Sequence, residues 1–123
     1  MYFALSVVKT MSAIANLDIF ETQRVLVKLQ PKIKLLASEL WKLKRLDPVG
    51  DIRQAGLMVG IELVKDKKTK EPYPLAEKRG IRVCMMARGK GLMLRPLGNV
   101  IVLMPPLSIT KEEIVKLCHV IRD

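Results

Sequence analysis

The stretch Gly91–Thr110, GLMLRPLGNVIVLMPPLSIT, decides the fold. Gly91 opens it. Leu92-Met93-Leu94 is a short apolar strand, and Pro96-Leu97-Gly98-Asn99 is turn chemistry. Val100-Ile101-Val102-Leu103 is a β-branched second strand, ended by Pro105-Pro106 because proline brings no ladder donor. The pattern predicts a β-hairpin followed by a helix start. Arg95 stands where the first strand meets the turn. A guanidinium beside buried strands costs free energy unless an anion meets it, and its planar fork suits a carboxylate bidentately. A surface arginine that snorkels at a strand end is the plain alternative, and composition alone favours it.

On the C-terminal side, Thr110-Lys111-Glu112-Glu113 is a capping box, with Ile109 and Ile114 at the staple positions. Ile114, Leu117, Cys118 and Ile121 then form one apolar helical face, and His119 lies off it. On the N-terminal side, Leu75–Arg88 reads as a helix with Pro74 in its first turn and Gly89-Lys90-Gly91 as its glycine cap. Lys65–Pro74, KDKKTKEPYP, is a charged loop. A single loop offers no second element to make a groove for an anion, so a solvated connection is favoured over a phosphate or nucleic-acid contact.

Further upstream, residues 51–64 hold two strands that bend at Ala55-Gly56. Leu57, Val59, Ile61 and Leu63 alternate with Met58, Gly60 and Glu62, which gives one apolar face. Glu62 is assigned to an edge position with solvent, and Gly60 suits a close approach. From Glu21 to Leu46, Leu26, Leu29, Ile33, Leu36, Leu40 and Leu43 recur by three and four on one helical stripe. The lysine-dominated flanks favour a core-packed helix over a coiled coil. Pro31 is expected to break or kink it near Leu29-Gln30. Met1–Glu21 reads as a helix apolar nearly all round, which needs burial on several sides. The fold class that follows is α+β: a small, mainly antiparallel sheet with helices on one face, preceded by two long N-terminal helices, in a single domain over residues 1–123.

Composition narrows the function. Half of the 123 residues are hydrophobic, enough for a core and against disorder. The formal net charge of +10 allows an anionic partner. The cations are mostly spread among apolar residues, however, with no platform of aromatics for stacking. Cys84 and Cys118 have no ligand spacing and read as buried thiols of a reducing compartment. The N-terminus lacks the features of a signal peptide, so a cytoplasmic setting is expected. The run Tyr2–Val8, interrupted by Lys9, is too short to span a bilayer. Neither a nucleic acid nor a membrane is expected as a partner. No complete catalytic set is visible: there is one histidine, no nucleophile paired with a base, and no glycine-rich phosphate loop.

Arg95-Pro96-Leu97-Gly98-Asn99-Val100-Ile101-Val102-Leu103-Met104-Pro105-Pro106-Leu107, with VGDIRQAGLMVGIELV at Val49–Val64, resembles the C-terminal small domain of the class III (ω-type) pyridoxal-phosphate aminotransferases. Within that group it is most similar to the diaminopelargonate aminotransferases of biotin synthesis. The resemblance runs from about Met11 to the C-terminus. The stretch Ala13–Phe20 resembles a family helix that lies between large domain, small domain and dimer mate, whereas Met1–Leu5 lacks the turn that precedes this helix in the family.

The resemblance implies amino transfer to 8-amino-7-oxononanoate, with S-adenosylmethionine or lysine as donor. It implies that Arg95 binds the acceptor's carboxylate, and that a family aromatic near the active site aligns near Val102. Pyridoxal phosphate, its Schiff-base lysine and its phosphate cup belong in the family to the large domain, upstream of the matched region. No lysine here sits in that context. The chain is therefore expected to bind no cofactor alone, to lack activity alone, to be a detached C-terminal piece and to self-associate. Two other readings stay open. Net charge alone supports a basic nucleic-acid-binding module. The apolar N-terminal helix supports a free-standing interaction domain.

Overall fold

The structure, a computed structural model, describes residues 2–123. The expected helix start at Met1 lies outside the described residues. The chain divides into two compact units, Met1–Pro31 and Lys32–Asp123.

In the first unit, α1 spans Tyr2–Thr22 and has neither an acidic residue in its first turn nor a basic one in its last. Its apolar side chains from Phe3 to Ile19 stand exposed, Phe3 at 83%. Lys9 does not interrupt the helix, so Phe3–Thr22 is long and apolar enough to cross a membrane by length and composition. The shorter run Tyr2–Val8 had suggested otherwise. The chain turns at Gln23-Arg24, with Arg24 in the left-handed region at φ 51°. The next helix, α2, spans Val25–Leu43 with Pro31 inside it. Pro31 does not break α2 at Leu29-Gln30, because one missing donor does not end a helix of this length; the turn at Gln23-Arg24 is the boundary between the two helices, two residues beyond the expected one at Glu21.

The second unit is α+β. β1 (Val49–Ala55) turns through Gly56, at φ 64°, into β2 (Met58–Asp66). A two-residue strand, β3 (Glu71–Pro72), pairs back on β2, so the lysine-rich segment is a small hairpin rather than a free loop. Asp66 Oδ1 accepts from the Lys68 and Thr69 amides and closes its turn. A 3₁₀ turn at Leu75–Glu77 precedes α3 (Arg79–Gly89). The single helix expected over Leu75–Arg88 is thus divided at Lys78, whose φ of 49° redirects the backbone. β4 (Arg95–Leu97), β5 (Val100–Leu103) and α4 (Lys111–Arg122) follow. The main sheet is antiparallel throughout, in the order β1-β2-β5-β4.

Alternation along the strands sorts the two faces of this sheet. Val59, Ile61, Leu63, Ile101 and Leu103 are buried on one, with Leu36, Leu40 and Leu43 of α2 and Ile114, Leu117 and Cys118 of α4. Leu43, Ile61, Val83, Ile101 and Ile121 border one small cavity of about 160 Å³, so residues of α2, α3, α4 and the sheet converge there. The opposite face carries Gly60, Glu62, Val100 and Val102. Glu62 is not at an edge: β2 is a central strand, and the carboxylate is held 3.8 Å from Arg53 of β1.

α4 has the expected capping box. Glu113 N–H donates to Thr110 Oγ1 at 3.2 Å, and Thr110 N–H donates to Glu113 Oε2 at 2.8 Å. The staple residues Ile109 and Ile114 are both buried. The Glu112 carboxyl is held below its ordinary value by its own backbone amide and then by the Thr110 hydroxyl.

Candidate functional site

The hairpin forms, but its register is shifted from the expected one. Leu92 belongs to the end of α3. Gly91, at φ 81°, donates from its N–H to Arg88 O at 3.0 Å, and Leu92 N–H donates to Ala87 O at 2.9 Å. This is a Schellman closure, and it takes Leu92 out of the sheet. The first strand is therefore Arg95–Leu97, and Gly98-Asn99 alone makes the loop, with φ 60° at Gly98. A glycine in the first of two loop positions matches the strand twist. Pro96 is tolerated because β4 is an edge strand.

This register puts Arg95 opposite Val102, Val102 opposite Gly60, and Gly60 opposite Arg53. Residues directly opposite share a face, so Arg95 lies on the face away from Ile61 and Ile101. Arg95 is exposed and makes no ion pair or side-chain hydrogen bond among the described residues. Leu94, Arg95, Val102, Leu103, Ile109 and Leu117 line a groove of about 610 Å³ between the α3–β4 connection, the end of β5 and α4. Its walls are mainly apolar. Glu113, the one carboxylate on it, is committed to the helix cap. A guanidinium with no internal partner, standing on an apolar wall, can take an incoming carboxylate without first breaking a bond.

The tip of the hairpin is held from several sides. Asn99 Nδ2 donates to Tyr73 O at 2.7 Å, and Leu63 N–H donates to Asn99 O at 2.8 Å. Gly80, in the first turn of α3, sits so close that an added Cβ would lie 2.2 Å from Gly98 O and 3.1 Å from Pro96 Cβ. From sequence, Asn99 had only a place in the turn and Gly80 had no part. The Gly-Asn doublet was the available signal, and it was read only as turn composition.

No other constellation of chemistry appears among the described residues. No group of His, Cys, Asp and Glu there could hold a metal. Cys84 and Cys118 are free and buried. Burial pushes both thiols up. For Cys84, Arg88 opposes the rise; Cys118, with Glu39 adding and Lys42 opposing, reaches about 11. Neither is a ready nucleophile. The lysines on the groove, Lys90 and Lys116, are exposed, and Lys90 is 3.5 Å from Asp123. With no buried lysine and no free acid, the groove does not fit pyridoxal phosphate.

The family model for class III aminotransferases matches residues 3–123. The adenosylmethionine-8-amino-7-oxononanoate aminotransferase of Methanocaldococcus jannaschii is 57% identical over 112 residues, which cover 91% of this chain and 24% of that protein. The protein of the same name from Geobacter sulfurreducens is 56% identical over 102 residues, covering 83% and 22%. The crystal structure of the M. jannaschii protein superposes with a TM-score of 0.87, covering 89% of this chain and 25% of that one. The chain thus spans about a quarter of the length of the curated relatives it matches.

Proposed function

The chain belongs to the class III aminotransferase family, and from that premise we propose that it is the C-terminal part of an enzyme that converts 8-amino-7-oxononanoate to 7,8-diaminononanoate in biotin synthesis. Arg95 anchors the acceptor's carboxylate. The observation that carries this role is its exposed, unpaired guanidinium on an apolar groove wall, within Arg95-Pro96-Leu97-Gly98. The high identity to relatives named for this acceptor supports the choice of substrate. The cofactor, pyridoxal phosphate, is held by a large domain outside this chain and supplies the electron sink for amino transfer. That domain and a dimer mate cover α1, and the two buried free thiols suit a cytoplasmic enzyme.

The test is Arg95→Ala in the complete polypeptide. A charge-assisted pair contributes roughly 2–4 kcal/mol when partly desolvated, so kcat/KM for 8-amino-7-oxononanoate should fall about thirty- to several-hundred-fold. The half-reaction with the amino donor should change much less. Equal losses in both half-reactions would remove Arg95 from the carboxylate site. The 123-residue chain alone, mixed with pyridoxal phosphate, should give no stoichiometric adduct trapped by borohydride at one lysine. Such an adduct would relocate the active site.

A further inference from the structure

β4 is a strand of only three residues at the edge of the sheet, and Arg95 is the first of them. One side of β4 is paired to β5 and the other has no strand among the described residues. So short a pairing does not by itself fix the end of an edge strand, because terminal pairs fray. What distinguishes this hairpin is its tip. The Asn99 side chain is bound to the Tyr73 carbonyl, the Asn99 carbonyl is bound to the Leu63 amide, and Gly80 admits the Gly98 carbonyl at a distance that no side chain would allow, with the Pro96 ring close beside it. The first tie comes from the β3–α3 connection, the second from β2 and the third from α3. Each acts on the loop or on Pro96, and none touches the Arg95 guanidinium.

We propose that Asn99 and Gly80 are positioning residues for Arg95: they clamp the hairpin tip so that the guanidinium is presented at a fixed place on the groove wall. The proposal rests on the reading of Arg95 as the carboxylate anchor. A preset donor fork binds without an ordering cost, so loosening the tip weakens acceptor binding while leaving the chemical step alone. Asn99→Asp is the sharpest variant. It keeps the shape of the side chain but removes the donor and turns a carboxylate toward the Tyr73 carbonyl.

Two measurements test it. In the 123-residue chain, hydrogen exchange at the amides of the Arg95–Val102 pair should quicken about tenfold in Asn99→Asp, with the amide of Ile114 unchanged. In the complete enzyme, Asn99→Asp should raise KM for 8-amino-7-oxononanoate about tenfold with kcat and the donor half-reaction nearly unchanged. In an Arg95→Ala background the same change should add nothing, since its effect passes through the guanidinium. If Asn99→Asp does not fold, Asn99→Gly replaces it and keeps a turn-forming residue. Unchanged exchange at the pair, an unchanged KM, or a KM effect that persists in the Arg95→Ala background would each overturn the clamp. A normal acceptor KM in Arg95→Ala alone would instead overturn the anchor itself, with exchange still reporting whether the tip is clamped.

Discussion

α1 and α4 are both helices rich in aliphatic residues, and they meet opposite fates. α4 keeps its apolar residues to one side, opens with a capping box, and carries acids in its first turn with Arg122 in its last. Ile114, Leu117 and Cys118 are buried against the sheet unit. α1 is apolar on every side, has none of these end charges, and leaves Phe3, Met11, Ile14 and Leu17 exposed. A one-sided helix finds its complement within a small unit. An all-round helix requires a complement on several sides, and its own unit, which ends at Pro31, holds only the start of α2 besides. The contrast teaches that hydrophobicity stabilises a helix only in proportion to what stands across from it.

The sharpest way to break this comparison is a matched pair of truncations. Ile114→Ala should destabilise the chain by about 2–5 kcal/mol, because a fully buried isoleucine leaves a cavity. Ile14→Ala should change the melting of the Lys32–Asp123 unit by no more than about 0.5 kcal/mol. Denaturant unfolding of both variants checks this, and equal losses would mean that α1 is packed after all.

The Cys118 thiol, on the buried face of α4, gives a pH test of that burial. The folded-state value of Cys118 lies above its unfolded value, so its contribution to stability is complete below about pH 9 and is lost as pH rises toward about 11. Because the unfolded chain releases its proton first, alkaline unfolding should become easier by up to about 2 kcal/mol across that window. Cys118→Ala should flatten the slope. An unchanged slope would show the thiol to be wetter than its environment implies.

The exposed face of α1 should make the isolated chain associate with concentration. Met11→Lys with Ile14→Lys should weaken that association about tenfold or more, as read by sedimentation. A wild-type chain that stays monomeric while α1 remains helical would remove the case for a missing complement. The smallest effect belongs to the cap. Thr110→Ala should cost about 1 kcal/mol in thermal unfolding, and a silent substitution would make the capping box dispensable.

What could be read from sequence follows the range of the interaction. The capping box of α4, the β1–β2 strands with their bend at Gly56 and the buried stripe Leu36, Leu40, Leu43 are local patterns, and they were legible. Three local signals were overridden by neighbours that sequence does not display. Leu92 looked like a strand residue until the end of α3 claimed its amide. Pro96 looked like a turn residue because proline is excluded from central strands, yet an edge strand tolerates it. Glu62 looked like an edge residue because a charge in a central strand needs a partner, and Arg53 across the pair supplies one. Arg95 was reached through family resemblance, since composition favoured a surface role. Gly80 could not be reached at all, because its tight fit to Gly98 exists only once helix and hairpin have met.

Pro96 has a consequence beyond tolerance. With a two-residue loop, Leu97 and Val100 are the closing hydrogen-bonded pair, and Arg95 with Val102 is the next. Pro96 therefore turns its nitrogen outward, where a further strand would look for a donor and find none. The sheet is capped on that side against templated addition, so polymerisation of the chain into a continuous cross-strand fibre cannot propagate through β4. Any such growth would have to start from another edge, the two-residue β3 or β1, and β1 carries Asp51 and Arg53, which discourage it by charge rather than by geometry.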